Sequence, residues 1–312
     1  MGNAVSFAAF FYFNSMDIVL KATLTGHQNP IFAIESSEDQ QSIFTGGNDK
    51  GIVEWDVKTL KFKRILCAVD SSVYVIHRLP NSNILAVGLR SGELMFIDVN
   101  EQKLLAKFKT NQGALFAIQS FSSKPEVIAI GEEGYAYVLN SEDFQLKYRF
   151  KVSPTTVRSI AISDDEQQVA FGDKNGFVYI YDARDYESIY QNQLHELPVT
   201  SLLFDKEYLF SGGRDAKLHQ LNRADFSIRK SIVPHMFTVY GIVKHPDFPF
   251  IATASRDKTF KIWDKDSLAL LKNISRDKGY ESHSLSINNI LWNSYLYTVS
   301  DDKTVKVWEI GL

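Results

Sequence analysis

A histidine, a hydroxyl residue and an aspartate stand in fixed order at His27, Thr45 and Asp49, and again at His195, Ser211 and Asp215. Gathered in one cleft, these types would serve acyl transfer as base, nucleophile and orienting acid. Two further sets, His235, Thr253, Asp257 and His283, Thr298, Asp302, change that reading. Acyl transfer needs one activated nucleophile beside one oxyanion site, whereas a constellation written four times serves something that each structural unit needs separately. No residue is therefore assigned a catalytic role. His77, His219 and His245 lack ligand spacing, so neither a metal nor a cofactor is expected. Gly46-Gly47 and Gly212-Gly213 follow Thr45 and Ser211 as strand ends and do not open a phosphate loop.

The units that must position these residues are repeats. Apolar strands end in a polar residue at Trp55-Asp56, Ile97-Asp98, Leu139-Asn140, Tyr181-Asp182, Leu221-Asn222, Trp263-Asp264 and Trp308-Glu309, at intervals of 42, 42, 42, 40, 42 and 45 residues. This period, with Gly- and Asp-rich turns, predicts four-stranded propeller blades, seven in all. In the fourth repeat VRSIAI, QQVAFG, FVYIYD and SIYQNQ read as strands a to d, with Lys174-Asn175-Gly176 turning b into c. A lone blade leaves both apolar faces bare, so radial stacking is what buries them. Only four residues follow Trp308, while Ile18 to Leu24 has the character of one outer strand. Pairing the two would close the ring and remove two open sheet edges.

The chain resembles the WD40-repeat (WD-repeat) β-propeller family over roughly residues 17 to 312. The resemblance rests on a His before strand a, a Ser or Thr in strand b, an Asp in the b–c turn and a Trp in strand c. Repeat one offers His27, Thr45, Asp49 and Trp55; repeat six offers His235, Thr253, Asp257 and Trp263. Repeat seven has His283, Thr298, Asp302 and Trp308, and repeat five has His195, Ser211 and Asp215 with Leu221 for Trp. The family pattern implies one buried hydrogen-bonded network per blade, in which losing one member strands its partners. Repeats two to four lack it: Val69, Val87, Ser91, Ile97; Asn111, Ala129, Glu133, Leu139; and Ser153, Phe171, Asn175, Tyr181. Those blades are expected to be held mainly by packing. The expected fold is thus all-β, a seven-bladed β-propeller with four antiparallel strands per blade, closed by the N-terminal strand completing the C-terminal blade.

Strand a carries a second periodicity. Apolar residues recur four and seven places after the His position, as in Ile31 and Ile34, and this spacing of three predicts a β-bulge. Between them fall Phe32, Tyr74, Phe116, Arg158, Thr200, Tyr240 and Asn288, which the resemblance puts near the channel mouth on the face commonly used for binding. A companion ring, also put on that face by the resemblance, is Asn48, Arg90, Glu132, Lys174, Arg214, Arg256 and Asp301. Aromatic and arginine residues carry most hot-spot energy. The partner-binding set is therefore Phe32, Tyr74, Phe116, Arg158, Tyr240, Asn288, Arg90, Lys174, Arg214 and Arg256, and the expected ligand is a protein or peptide with an apolar anchor and acidic neighbours. The bulge aromatics have a purely structural alternative, packing into the bulges themselves. The loop Ser275 to Ser282 lengthens the same rim and is a second candidate contact.

Composition bounds the rest. A net charge of −3 with scattered Lys and Arg gives no overall field for nucleic acid or anionic lipid, and no apolar run reaches a membrane span. One cysteine, Cys67, forms no intramolecular disulfide, which suits a reducing compartment, here the cytoplasm. Met1-Gly2 with Ser6 fits a myristoylation pattern and Ala4 to Phe13 resembles a signal core, but no Lys or Arg precedes that run. Residues 1–15 are expected to be a disordered or mis-started extension, with Met16 as the start and 16–312 as one propeller domain. The leading function is a non-catalytic interaction scaffold, a monomeric propeller within a larger complex. The alternative is an enzyme or metabolite-binding propeller using the central channel.

Overall fold

The computed structural model describes residues 16–110 and 113–311; the extension at 1–15, and Asn111 of the third repeat, lie outside the described residues. The β-branched and aromatic segments form seven four-stranded antiparallel sheets. In the first blade, strands a to d are Ile31–Ser36, Ser42–Gly47, Gly51–Asp56 and Lys61–Ala68. The same order recurs in each following blade.

Burial follows position in the blade. Strand b is buried along its whole length at Ser42–Gly47, Glu126–Gly131, Tyr208–Gly213 and Phe250–Ser255, because neighbouring blades cover both of its faces. Strand d, at the rim, is mostly exposed at Leu146–Lys151 and Ser188–Gln193. The core consequently lies between blades. Phe44 and Ile52 of blade one pack with Val73, Leu85 and Met95 of blade two. The approach is close: a Cβ on Gly46 would come within 2.6 Å of Val73 Cγ1, and one on Gly172 within 2.5 Å of Val199 Cγ1.

The seventh blade is built from both ends of the chain. Its a, b and c strands are Ile287–Trp292, Leu296–Ser300 and Thr304–Gly311, and its outermost strand is Asp17–Thr25. The closing pair is antiparallel, with Ile18 opposite Ile310, Leu20 opposite Trp308 and Leu24 opposite Val305. Met16 and Ile18 join the cluster around Leu296 and Trp308, so closure buries apolar surface as well as pairing an edge.

The predicted bulge occurs in all seven a strands. The register slips between Ile31 and Ala33, Val73 and Val75, Leu115 and Ala117, Val157 and Ser159, Val199 and Ser201, Val239 and Gly241, and Ile287 and Asn289. One boundary differs from the sequence reading: strand b of blade four is Gln168–Asp173, one residue later, because Asp173 itself pairs with Val157.

Candidate functional site

Two sets of residues recur from blade to blade, one within the blades and one along the channel. The first set lies inside the blades. In blade one Trp55 Nε1 donates to Thr45 Oγ1 at 2.8 Å, Thr45 Oγ1 lies 2.8 Å from His27 Nε2, and His27 Nδ1 lies 2.6 Å from Asp49. In blade six Trp263 donates to Thr253 at 2.9 Å, Thr253 meets His235 at 2.8 Å, and His235 meets Asp257 at 3.0 Å. Blade seven repeats the chain, with Trp308 to Thr298 at 3.1 Å, Thr298 to His283 at 2.9 Å, and His283 to Asp302 at 2.9 Å.

One proton arrangement satisfies every member. The indole N–H donates to the threonine oxygen, the threonine O–H donates to Nε2, and Nδ1–H donates to the carboxylate. Burial lowers the pKa values of His27 and His235, against the pull of Asp49 and Asp257, which keeps these imidazoles neutral as that arrangement requires. Burial would raise Asp257 and Asp302, but the interactions with His235 and His283, together with hydrogen bonds from Thr259 and Thr304 and from the Met236 and Ser284 amides, outweigh it and hold both carboxyls well below the usual range. The carboxylate also anchors the incoming loop: Asp49 accepts Gln28 N at 3.1 Å and Asp257 accepts Met236 N at 3.1 Å.

Blade five keeps His195 between Asp215 at 3.0 Å and Ser211 at 2.9 Å, with no indole to complete the chain. Burial opposes ionisation of Asp215, yet its interactions with His195 and the hydrogen bonds from the Lys217 and Glu196 amides together bring its pKa down to about 2. Beside them lies His219, whose pKa burial and the neighbouring His195 push down to about 4.

Blades three and four, expected to be held mainly by packing, each add a tyrosine–carboxylate bond. In blade four, buried Asp173 accepts Ser153 Oγ at 2.7 Å and Tyr179 OH at 3.0 Å, and its other oxygen takes Asn175 N and Phe177 N at 2.9 Å each. In blade three Tyr137 OH donates to Glu133. A tyrosine two places before the usual indole thus ties strand c to the turn by another route. The tyrosines stand in YAYVLN and FVYIYD, but the carboxylate of blade four, Asp173, lies two residues before Asn175, the turn position equivalent to Asp49 and Asp257. Blade two keeps the apolar solution, with Val87 and Ile97 in its core.

The second set faces the channel. Phe32, Tyr74, Phe116, Arg158, Thr200, Tyr240 and Asn288, the bulged residues, line one open cavity of about 920 Å³ together with Arg90, Glu132 and Asp301. The first four form an arc across four blades. Phe32 meets Tyr74 edge-on at 5.5 Å between centroids, Tyr74 stacks on Phe116 at 5.7 Å, and the Arg158 guanidinium sits 4.6 Å over the Phe116 ring. The aromatics therefore pack on one another across blades rather than into their own bulges. Asn288 donates both amide hydrogens inward, to Ile31 O at 2.8 Å and Asp301 Oδ1 at 2.7 Å. Lys174, Arg214 and Arg256 do not line this cavity; they stand exposed on the surrounding turns.

Further along the channel, His77 Nε2 lies 2.7 Å from Ser120 Oγ, while its Nδ1 is 3.8 Å from Glu35, too far for a hydrogen bond. Burial brings His77 down to about 4 and raises Glu35. Among the described residues no group of three or more His, Cys, Asp and Glu could hold a metal ion, and no helix is long and apolar enough to cross a membrane.

The family model "WD domain, G-beta repeat" matches residues 18–56, 226–264 and 275–309. These segments contain the three complete Trp networks, of blades one, six and seven. The chain is similar to a WD repeat-containing protein 26 homolog of Drosophila melanogaster, with 24% identity over 292 residues, covering 87% of this chain and 44% of the relative. It is similar to transducin beta-like protein 3 of Rattus norvegicus, 21% identical over 326 residues, covering 93% and 40%. A shorter stretch of 84 residues is 38% identical to nuclear distribution protein PAC1 of Tuber melanosporum, covering 26% and 18%. The chain spans less than half the length of each of these relatives.

Proposed function

Because this chain is a WD-repeat propeller, we propose that it is a non-catalytic scaffold that grips a protein or peptide partner on the face around the channel mouth. The observation that carries this reading is the arc Phe32–Tyr74–Phe116–Arg158 along the wall of an open cavity. Rings already stacked on one another lose little rotamer freedom when a ligand arrives, so their contact area converts efficiently into affinity. Arg158 is the cation of that arc, and Arg90 adds a second at the rim. The partner would present an apolar anchor near the aromatic blades and acidic groups near the arginines. The propeller would act in the cytoplasm as one member of a larger complex.

The test is affinity purification from the native host with the wild-type chain and with Phe32→Ala/Tyr74→Ala. The expected outcome is loss of specific partners with an unchanged circular dichroism spectrum. Undiminished recovery of the same partners would remove the reading. The channel volume also favours a second reading, a small polar metabolite held between Glu35, His77 and Gln119. A metabolite thermal-shift screen separates the two, since only this reading calls for a saturable rise in melting temperature that Glu35→Gln abolishes.

A further inference from the structure

Exposed apolar side chains on the outer strands, such as Ile65, Leu104, Ile189 and Ile228, sit among polar neighbours at the rim and need no partner. A different group occupies the loops that lead into strand a. Two places after the network histidine, or its equivalent, blades one to four carry Asn29, Ser71, Gly113 and Thr155, whereas blades five to seven carry Leu197, Phe237 and Leu285. All three are exposed. On the same loop as Phe237, Met236 is 81% and Val233 69% exposed, more than any other large apolar side chain among the described residues.

A recurring backbone bond sets what stands beside each of them. Arg214 N donates to Pro198 O at 2.8 Å, next to Leu197, and Arg256 N donates to Thr238 O at 3.2 Å, next to Phe237. In blades five and six the exposed apolar residue is therefore the chain neighbour of the residue whose carbonyl meets the arginine's backbone amide. Both arginines are exposed, and neither side chain has a hydrogen-bond or ion-pair partner among the described residues. Blade seven breaks the series, because the equivalent bond, Asp301 N to Ser286 O at 3.1 Å, puts an acid beside Leu285. The loop of blade six is held firmly: His235 is bonded to Thr253 and Asp257, and Met236 N donates to Asp257. A surface fixed in this way binds without first having to be ordered.

We propose that Leu197 with Arg214, and Met236 and Phe237 with Arg256, form a docking crest for an extended peptide segment in which apolar side chains alternate with carboxylates. The proposal rests on the reading that this face binds a protein partner, and it names the sector and the partner's chemistry. Two unpaired cations beside apolar side chains on consecutive blades favour an acidic segment, and alternation follows from an extended chain presenting every second residue to a surface. Asp301 marks the end of the track, since a carboxylate over blade seven would be repelled.

The test uses the full chain and fluorescein-labelled peptides of about twelve residues, alternating Leu with Glu, Leu with Lys, or Ser with Glu, read by fluorescence polarisation. The Leu/Glu peptide is expected to bind and to weaken as salt rises. Met236→Ser/Phe237→Ser and Arg214→Ala/Arg256→Ala should each weaken it by about tenfold or more, while Ile65→Ser/Ile189→Ser on the outer strands leaves it unchanged. All substituted crest side chains are exposed, so folding should be retained, as checked by circular dichroism. Binding to none of the peptides, equal binding of Leu/Lys, or binding that survives both crest variants would each overturn the proposal. Loss only in Phe32→Ala/Tyr74→Ala would overturn it while leaving the mouth reading in place. Self-association that Met236→Ser/Phe237→Ser disperses would overturn it in favour of a second copy of this chain.

Discussion

The imidazole rings of His195 and His219 lie 4.5 Å apart between centroids, tilted by 56°, inside the one blade that keeps a network histidine without an indole. His195 is bonded to Asp215 and Ser211, and His219 Nδ1 lies 2.6 Å from Ser231 Oγ. Burial and the adjacent His195 bring His219 from the ordinary 6.5 to about 4. Its folded pKa is thus below its unfolded one, so between pH 6.5 and 4 the unfolded chain binds more protons. Stability then falls as pH falls through that window and is unaffected by this group above it. His219→Tyr, which copies the tyrosines of blades three and four, should flatten the fall in urea midpoint between pH 7 and 4.5. His77 shifts the same way, to about 4, so part of the acid sensitivity should remain. An unchanged pH profile in His219→Tyr would show that His219 does not contribute to it.

Blades five and six offer a matched comparison of complete and incomplete networks. Thr253 Oγ1 serves both Trp263 and His235, while Ser211 Oγ serves His195 alone. Each stranded buried partner costs about 1–3 kcal/mol. Thr253→Val should therefore cost about twice as much as Ser211→Ala in the free energy of unfolding, measured by denaturant melts. Equal costs would mean that the indole bond contributes nothing net.

Blade four depends on one carboxylate. Asp173→Ala removes the acceptor for Ser153, Tyr179 and two backbone amides at once. The expected loss is about 3 kcal/mol or more, larger than for Asn175→Ala at the neighbouring turn position. A smaller loss at Asp173 than at Asn175 would return that blade to being held mainly by packing.

Closure of the ring also makes a prediction. Removing residues 1–25 bares the edge of Thr304–Gly311 and the apolar surface that Ile18 and Leu24 cover. Size-exclusion chromatography should show aggregation beyond that of the intact chain, and a synthetic peptide spanning Asp17–Thr25 added during refolding should reverse it. A stable, unaggregated truncation would show that the seventh blade holds together with three strands.

The sequence alone determined the number of blades, the bulge in every strand a, and the borrowing of Ile18 to Leu24 by the far terminus, a strand that the structure extends to Asp17–Thr25. Each of these is a local rule written repeatedly: a period of about 42 residues, a spacing of three between apolar positions, a strand without a neighbour in sequence. Such rules survive because each blade meets the same surroundings. The tertiary structure decided what depends on contacts between repeats. Whether Phe32, Tyr74 and Phe116 would pack into their own bulges or on one another turns on the distance between adjacent a strands, which spacing along the chain does not encode. The same holds for the tyrosine networks of blades three and four, where Asp173 serves from a shifted position, and for the backbone bond that brings Arg256 N to Thr238 O, eighteen residues away. A repeat fixes which residues are equivalent; only the closed ring fixes which of them touch.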